Sequence, residues 1–193
     1  MKTHRLVIGI VLIVVLAMNG PSADGKEPAS QPASRPTSQP TSQPAEYRSK
    51  ANKFSILPPE SWTQQKPGGK MADMMFLCPE GRHSENFRES ITILVEKLRK
   101  DTTPDANAKA AEKATAAMFK DYKQVSLTDV DLGNVKAKRL ISTYSAGERK
   151  SQMAQYFIVK DKMAYVIICM TTQESFEKFE KTFDDCARTF RVE

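Results

Sequence analysis

The sequence predicts an α+β fold, in which an antiparallel sheet of about six strands carries helices on both faces as an α/β/α sandwich. Residues 155–172 read as a strand, a two-residue turn and a second strand, which is the pattern of an antiparallel hairpin. The second strand is apolar on both faces, and the helix that follows carries a single apolar stripe. These observations place one helical cover on the sheet, so the remaining chain must supply further strands and a second cover.

The apolar residues of this stretch indicate how it packs. Side chains alternate along a strand, so two sets of residues face opposite ways: Val166, Ile168 and Met170 on one side, and Tyr165, Ile167 and Cys169 on the other. In the helix, predicted over residues 173–187, apolar residues recur at three- and four-residue spacing: Phe176, Phe179, Phe183 and Cys186. We expect this stripe to pack on one face of the sheet.

The chain before the hairpin supplies the earlier strands. Residues 51–57 predict a short strand in which Phe54 and Ile56 share a face, and a proline pair ends it. Trp62 is expected at the edge of the core. Further along lie a polar turn region over residues 64–70, a strand over 71–78, a charged loop over 79–89 and a strand over 90–98.

The second cover is predicted as a helix over residues 104–121. Thr103 as the N-cap, Pro104 at the first helical position and Asp105 in the first turn are typical start signals. We expect this helix to lie close to the sheet because its inward positions are mostly small: Ala108, Ala111, Thr115, Met118 and Tyr122.

The remaining strands are joined by short turns. A short strand is predicted over residues 125–132, and longer strands over 135–145 and 150–160. The turn at Asp161-Lys162 requires positive φ angles, which suit Asp161 better than Lys162. The apolar patterns on both flanks nevertheless predict a hairpin here.

The N-terminal part predicts export. Basic residues precede an apolar run over residues 6–17, which is shorter than the roughly twenty residues of a spanning helix. We expect a signal peptide over residues 1–25, with an uncleaved membrane tether through residues 6–18 as the alternative, and therefore a periplasmic or extracellular location. Proline recurs every fourth residue in the following linker, residues 26–47, which is typical of extended, disordered chain. The folded domain is assigned to residues 48–193.

Charge and aromatic content bound the possible partners. The formal net charge is +6, and basic residues cluster at residues 97–100, 136–139 and 149–150. None of these clusters interleaves aromatic residues as nucleic-acid platforms do, so nucleic acid is not an expected partner. We interpret them as solvated strand ends, with contact to an acidic protein or an anionic membrane surface as the alternative.

The cysteines are Cys78, Cys169 and Cys186. Export permits a disulfide, but an odd number of cysteines leaves one thiol over. Cys169 and Cys186 both lie on predicted apolar faces, so buried thiols are the first interpretation. A Cys169–Cys186 disulfide is the alternative, because the helix can lie against that strand.

The sequence predicts neither a catalytic centre nor a cofactor. His83 is the only histidine beyond the signal segment, which excludes an HExxH motif, a Cys-His zinc site and a pair of imidazoles. Glu80, His83 and Glu85 fit a solvated loop better than a metal site.

One group of soft ligands occurs at residues 71–78, where thioethers and a thiol would suit copper(I): Met71, Met74, Met75 and Cys78. On a strand Met74 and Cys78 share a face that Met71 and Met75 do not, so the four cannot converge. Methionine as core filler explains the run more simply, and copper binding is kept as a remote alternative.

Three segments of the chain resemble the PsbP-like superfamily, which includes exported bacterial proteins of the DcrB-like type. They are FSILPPESW at residues 54–62, AYVIICM in the hairpin, and the phenylalanine-rich helix that leads to TFRV. The resemblance covers residues 50–192 and implies an α/β/α sandwich used as a binding or accessory module without a common catalytic centre. With Phe179, the matching positions form the predicted structural core: Phe54, Ile56, Trp62, Tyr165, Phe176, Phe183 and Phe190.

The sequence therefore predicts an exported, non-enzymatic accessory module that acts on a protein partner at the cell envelope. A small-ligand or lipid-binding carrier is the alternative, suggested by the apolar sheet faces and the methionine-rich strand.

Overall fold

A computed structural model of the chain describes residues 45–67, 72–82, 84 and 87–193. The predicted signal peptide and nearly all of the predicted linker lie outside the described residues, as do Met71, His83 and Glu85. Within the described ranges, no helix is long and apolar enough to cross a membrane.

The described chain forms strands in two sheets and two helices. The helices are α1 (Pro104–Met118) and α2 (Phe176–Arg188). The strands are β1 (Tyr47–Ser49), β2 (Phe54–Ile56), β3 (Thr63–Gln65), β4 (Ala72–Leu77), β5 (Ser90–Lys97), β6 (Lys120–Leu132), β7 (Val135–Ala146), β8 (Arg149–Lys160), β9 (Met163–Thr172) and β10 (Arg191–Val192).

The main sheet is antiparallel throughout and has seven strands in the order β3-β4-β5-β9-β8-β7-β6. The predicted α/β/α fold is confirmed, although the strand number is seven rather than about six. The prediction missed β3 because its residues are all polar and exposed, so they carry no apolar alternation. Strand β3 lies at the edge of the sheet and pairs with β4 only. Its side chains stay exposed there, so a fully polar segment can form the strand.

A second, three-stranded sheet joins the two ends of the domain. Strand β2 lies between β1 and β10, with Val192 paired to Phe54. The sequence analysis assigned residues 51–57 to the single predicted sheet, which is wrong. Phe54 instead stacks on Phe190 just before β10, with ring centroids 5.3 Å apart, and this contact holds the C-terminal strand against β2.

The two helices cover opposite faces of the main sheet. We call these the α2 face and the α1 face. The α2 face includes Ile91, Ile167, Phe179 and Phe183. The α1 face has a separate apolar cluster: Leu94, Ala108, Ala111, Leu140, Tyr144, Met153, Phe157, Val166, Ile168 and Met170.

Helix α1 begins as predicted but ends earlier. The Thr103 Oγ1 accepts a hydrogen bond from the Ala106 N–H at 3.1 Å, which caps the first turn. The backbone becomes extended at Phe119 and continues directly into β6. Met118 is consequently exposed, and Tyr122 belongs to β6 rather than to an inward helical position, which corrects the expectation for both residues.

The Asp161-Lys162 turn forms the predicted hairpin. Both residues have positive φ angles, 51° and 58°, as a two-residue hairpin turn requires. The Leu98 N–H donates to the Lys162 carbonyl at 2.7 Å, so the turn is also held by the chain that follows β5.

Candidate binding clefts beside helix α2

Helix α2 has one buried and one exposed stripe of side chains, and it lies between two clefts. Phe179, Phe183 and Cys186 are buried on the α2 face, whereas Lys181 and Asp185 are exposed. One cleft lies beside the N-terminal half of the helix and the other beside its C-terminal half.

The first cleft, which we call the aromatic cleft, has a volume of about 470 Å³ and is open to solvent. Trp62 forms part of its wall and packs edge-on against Phe183, with ring centroids 6.4 Å apart. The cleft is lined by Pro59, Glu60, Trp62, Cys78, Gly81, Arg82, Lys178, Phe179 and Thr182. It therefore combines aromatic surface with charged side chains from three separate segments of the chain.

Exposed cations lie at the rim of the aromatic cleft. Arg82 and Lys178 are both exposed, and the Lys178 Nζ lies 5.4 Å from the centroid of the Phe179 ring. Burial, and secondarily the nearby Glu89 carboxylate, raise the pKa of the Cys78 thiol. Cys78 therefore stays protonated at neutral pH, which makes it a poor nucleophile.

A buried carboxylate anchors the loop beside this cleft. Glu89 is fully buried and accepts hydrogen bonds from the Ser84 N–H and from the Thr171 hydroxyl, the latter at 3.1 Å. The Cys78 N–H donates to the Glu89 carbonyl at 2.9 Å. These bonds fix the position of Cys78 in the cleft wall.

The second cleft, which we call the charged cleft, has a volume of about 320 Å³. The Arg139 Nη2 lies 2.7 Å from the Glu180 carboxylate and 3.0 Å from the Asp184 carboxylate. The Tyr156 hydroxyl also donates to Asp184. The lining residues are Val130, Asp131, Leu132, Arg139, Tyr156, Asp184 and Arg188.

The charged cleft is poorly suited to acid–base chemistry. Burial raises the pKa of Tyr156 far above its ordinary value, and the neighbouring Cys169 and Asp184 act in the same direction. Burial alone would lower the pKa of Arg139, but its hydrogen bonds to Glu180 and Tyr156 raise it overall. Both groups keep their protons across the physiological range, so the cluster clamps α2 to the sheet rather than transferring protons.

The sequence analysis misread Arg139. Residues 136–139 were expected to be solvated strand ends, but the Arg139 side chain is only 13% exposed, whereas that of Lys136 is 87% exposed. The carboxylate partners of Arg139 lie on α2, more than forty residues later in the chain, so no local signal could identify them.

The predicted core residues are buried in the domain, while Trp62 is partly buried at the edge of the α2 face. The exposed fractions are 0% for Phe54, Ile56, Phe183 and Phe190, 1% for Tyr165, 4% for Phe176 and 7% for Phe179.

The cysteines are all buried free thiols in the structure. Cys169 and Cys186 share the α2 face, yet the alternative of a disulfide between them is not formed. Burial raises the pKa of Cys186 to about 12 and that of Cys169 well above its ordinary value, so both thiols are inert at neutral pH.

Metal ligands are not brought together in the part of the chain that the structure describes. No group of three His, Cys, Asp or Glu side chains there could hold an ion. Met74 packs on the α2 face, where Cys78 is buried, as expected for core filler. The remaining thioether of the remote copper alternative, Met71, lies outside the described residues.

A family profile described as the serine/threonine kinase C-terminal domain matches residues 46–192. The chain belongs to this family. The matched residues include both sheets, both helices and both clefts described above. No curated protein sequence matches the chain.

Solved structures show which fold this family domain has. CyanoP, the PsbP protein of Synechocystis sp. PCC 6803, is 13% identical with a TM-score of 0.60, covering 82% of this chain and 98% of its own. LpqN of Mycobacterium tuberculosis, involved in cell envelope biogenesis, is 12% identical with a TM-score of 0.61, covering 77% and 89%. PA94 of Pseudomonas aeruginosa is 15% identical with a TM-score of 0.54, covering 75% and 94%. The domain thus has the PsbP-like fold, which confirms the resemblance seen in the sequence.

Proposed function

We propose that this chain is an exported, non-enzymatic binding module whose aromatic cleft recognises a protein partner at the cell envelope. The observation that carries the proposal is the composition of the cleft, in which Trp62 and Phe179 lie beside the exposed cations Arg82 and Lys178.

This composition is typical of protein interfaces. Tryptophan and arginine are enriched among the residues that dominate binding energy, and an aromatic surface ringed by charge excludes water from the contact. The cleft suits an apolar side chain of the partner that is followed by an acidic group. The charged cleft is less suitable, because Arg139 already pairs with two carboxylates of its own chain.

Other observations support a binding role and export. The matching family is described as a C-terminal domain of serine/threonine kinases, a description that names no reaction for this domain itself. LpqN, which has the same fold, is involved in cell envelope biogenesis. The apolar N-terminal run and the proline-rich segment of the sequence fit a secreted domain held on a spacer.

Site-specific cross-linking in cells tests the proposal. A photoreactive benzoylphenylalanine in place of Thr182, which lines the cleft, is expected to capture a specific envelope protein when the full chain is expressed. Reversing the rim charges with Arg82→Glu and Lys178→Glu should lower the yield of this product about tenfold or more, because the attraction for the acidic group becomes repulsion.

The matched control is Lys113→Glu, an exposed charge reversal on α1 at the opposite face of the sheet. It should leave the cross-link unchanged. Equal losses from the control and the rim variant, or no captured protein from Thr182, would contradict the proposed docking site.

A further inference from the structure

Basic side chains gather at one end of the main sheet. At this end β5 terminates at Lys97, which pairs with Met163 at the start of β9, and the same Met163 pairs with Lys160 at the end of β8. The hydrogen bond from the Leu98 N–H to the Lys162 carbonyl holds the chain that follows β5 against the β8–β9 turn. These neighbouring segments therefore bring five cations to one place: Lys97, Arg99, Lys100, Lys160 and Lys162.

The β1–β2 turn adds two more cations. The Tyr165 hydroxyl, two residues beyond Met163 on β9, donates to the Asn52 carbonyl at 3.0 Å, so this turn lies against the same end of the sheet. Lys50 and Lys53 lie on either side of Asn52 in the sequence, and both are exposed. We call the surface formed by these seven cations the basic end.

The positive charge of the basic end is not neutralised within the domain. No ion pair among the described residues involves any of the seven side chains. Two exposed carboxylates, Asp101 and Asp161, lie among them and leave a clear excess of positive charge. Other carboxylates nearby are paired or partly buried: Glu193 pairs with Arg48 at 2.6 Å, Asp73 accepts from the Tyr47 hydroxyl at 2.6 Å, and Glu96 is half-buried.

The neighbouring β6–β7 hairpin marks the limit of the basic end. Its lysines are matched by carboxylates, since Lys136 pairs with Asp131 at 2.6 Å and Lys138 pairs with Asp129 at 2.9 Å. The unpaired cations are thus confined to the part of the sheet end formed by β5, β8, β9 and the β1–β2 turn.

The opposite end of the main sheet has mixed charge. Acidic and basic side chains occupy neighbouring positions there: Glu80 and Arg82, Lys120 and Asp121, and Glu148 and Arg149. The aromatic cleft lies at this opposite end, because Cys78 in its wall follows Leu77, which pairs with Ser90 at the start of β5. The eight residues of β5 separate the cleft from the basic end by roughly 20 Å.

We propose that the basic end binds the surface of an anionic lipid bilayer. Each cation held near an anionic membrane strengthens binding about fivefold, and here no internal ion pair has to be broken first. Neither cleft includes any of the seven side chains, so their arrangement suits many headgroups spread over an area rather than one small anion.

The composition of the basic end favours a bilayer over an acidic protein. All but one of its cations are lysines, which are depleted from protein interfaces, whereas the aromatic residues typical of such interfaces lie in the aromatic cleft. This inference goes beyond the proposed protein partner and does not depend on it. A domain docked through the basic end would present the aromatic cleft away from the membrane.

Partitioning of the full-length chain onto lipid vesicles tests the proposal. Vesicles with about one quarter phosphatidylglycerol in phosphatidylcholine supply an anionic surface, and pure phosphatidylcholine supplies a neutral one. Lys97→Gln, Arg99→Gln and Lys100→Gln together should weaken partitioning onto the anionic vesicles about thirtyfold or more at ~0.1 M salt. Partitioning onto the neutral vesicles should not change. The apolar run over residues 6–17 is the same in every variant, so it cannot cause a difference between variants.

The matched control removes equal charge from the opposite end. Lys120→Gln, Lys123→Gln and Lys150→Gln together replace three exposed cations and lower the net charge by the same amount. Because these positions would face away from the bilayer, partitioning onto the anionic vesicles should fall by less than about threefold.

Fluorescent labels show which end of the domain faces the lipid. Asp101→Cys and Glu148→Cys each replace an exposed carboxylate, at the basic end and at the opposite end, and the native cysteines are buried. With a nitroxide on the lipid headgroups, we expect strong quenching of a label on the cysteine at position 101 and little quenching of one at position 148.

Three results would overturn the proposal. They are equal partitioning of the parent chain onto anionic and neutral vesicles, equal losses from the two triple variants, and equal quenching of the two labels. Soluble polyglutamate serves as a competing probe. If the chain bound it through Lys97, Arg99 and Lys100 but showed no preference for anionic vesicles, the basic end would be a site for an acidic protein instead.

Discussion

The two faces of the main sheet are covered by helices of opposite character. Helix α2 buries Phe176, Phe179 and Phe183, whereas α1 buries alanines, Asn107 and Thr115. Both helices are anchored in the same sheet, so the difference lies in what each contributes to the interface. Helix α2 fills its interface with large rings. In the interface of the alanine-rich α1, most of the apolar surface comes from the sheet.

The two faces also differ in whether their buried polar groups have hydrogen-bond partners. On the α2 face, Tyr156 and Arg139 both find partners on α2 at Asp184 and Glu180. On the α1 face, Gln155 finds none among the described residues. The α2 face thus joins helix and sheet through large rings and paired charges, whereas the α1 face joins them through the close approach of small helical side chains to the sheet.

The largest expected loss of stability comes from a substitution in the core of the α2 face. Phe183 is 0% exposed and packs against the rings of Trp62 and Phe179. Phe183→Ala should lower the free energy of unfolding by about 3–5 kcal/mol, because it removes a buried ring and leaves a cavity. Urea denaturation followed by circular dichroism measures this loss.

Met118→Ala on α1 is the control for that experiment. Met118 is 36% exposed, and its truncation should cost less than about 1 kcal/mol. Equal costs for the two substitutions would remove the distinction between a heavily and a lightly packed helix.

A smaller effect tests whether the α2 face depends on its paired charges. Arg139→Met removes a guanidinium that is 13% exposed and leaves the Glu180 and Asp184 carboxylates facing each other. Because these carboxylates are themselves partly exposed, we expect a loss of about 1–3 kcal/mol rather than the larger cost of breaking a fully buried pair.

Lys136→Met is the matched substitution in the same strand. Lys136 pairs with Asp131 at 2.6 Å but its side chain is 87% exposed, so its loss should change the free energy of unfolding by less than about 1 kcal/mol. If Arg139→Met were as mild as Lys136→Met, the charged cleft would not be a clamp.

Sequence patterns could predict the parts of the fold that are encoded locally. The cap at Thr103, the α2 stripe and the hairpin at Asp161-Lys162 each depend on residues within a few positions of one another. Strands β1 and β10 could not be predicted, because they are two or three residues long and exist through their pairing with β2, far away in the chain.

The candidate sites were harder to predict for the same reason. The aromatic cleft brings together Trp62, Arg82 and Lys178 from three separate segments, and no spacing in the sequence predicts that these residues lie close together. The alternation of β8 does indicate that Gln155 faces inward, but a sequence cannot show whether a buried amide finds a partner. Polar satisfaction depends on tertiary packing.

The smallest expected loss of stability comes from removing the N-cap of α1, and it tests whether the two helices open independently. Thr103→Ala removes the hydrogen bond to the Ala106 N–H and should cost about 1 kcal/mol. Because α1 contributes few large contacts, this loss should appear as easier local opening, with amide exchange in α1 about fivefold faster. Exchange in α2 should not change, since its stability comes from buried rings on the other face.

Thr103→Ser is the control, because serine keeps the capping oxygen and should restore slow exchange in α1. Hydrogen–deuterium exchange with peptide-level readout resolves the two helices. Equal acceleration in both would mean that α1 opens only when the whole domain unfolds.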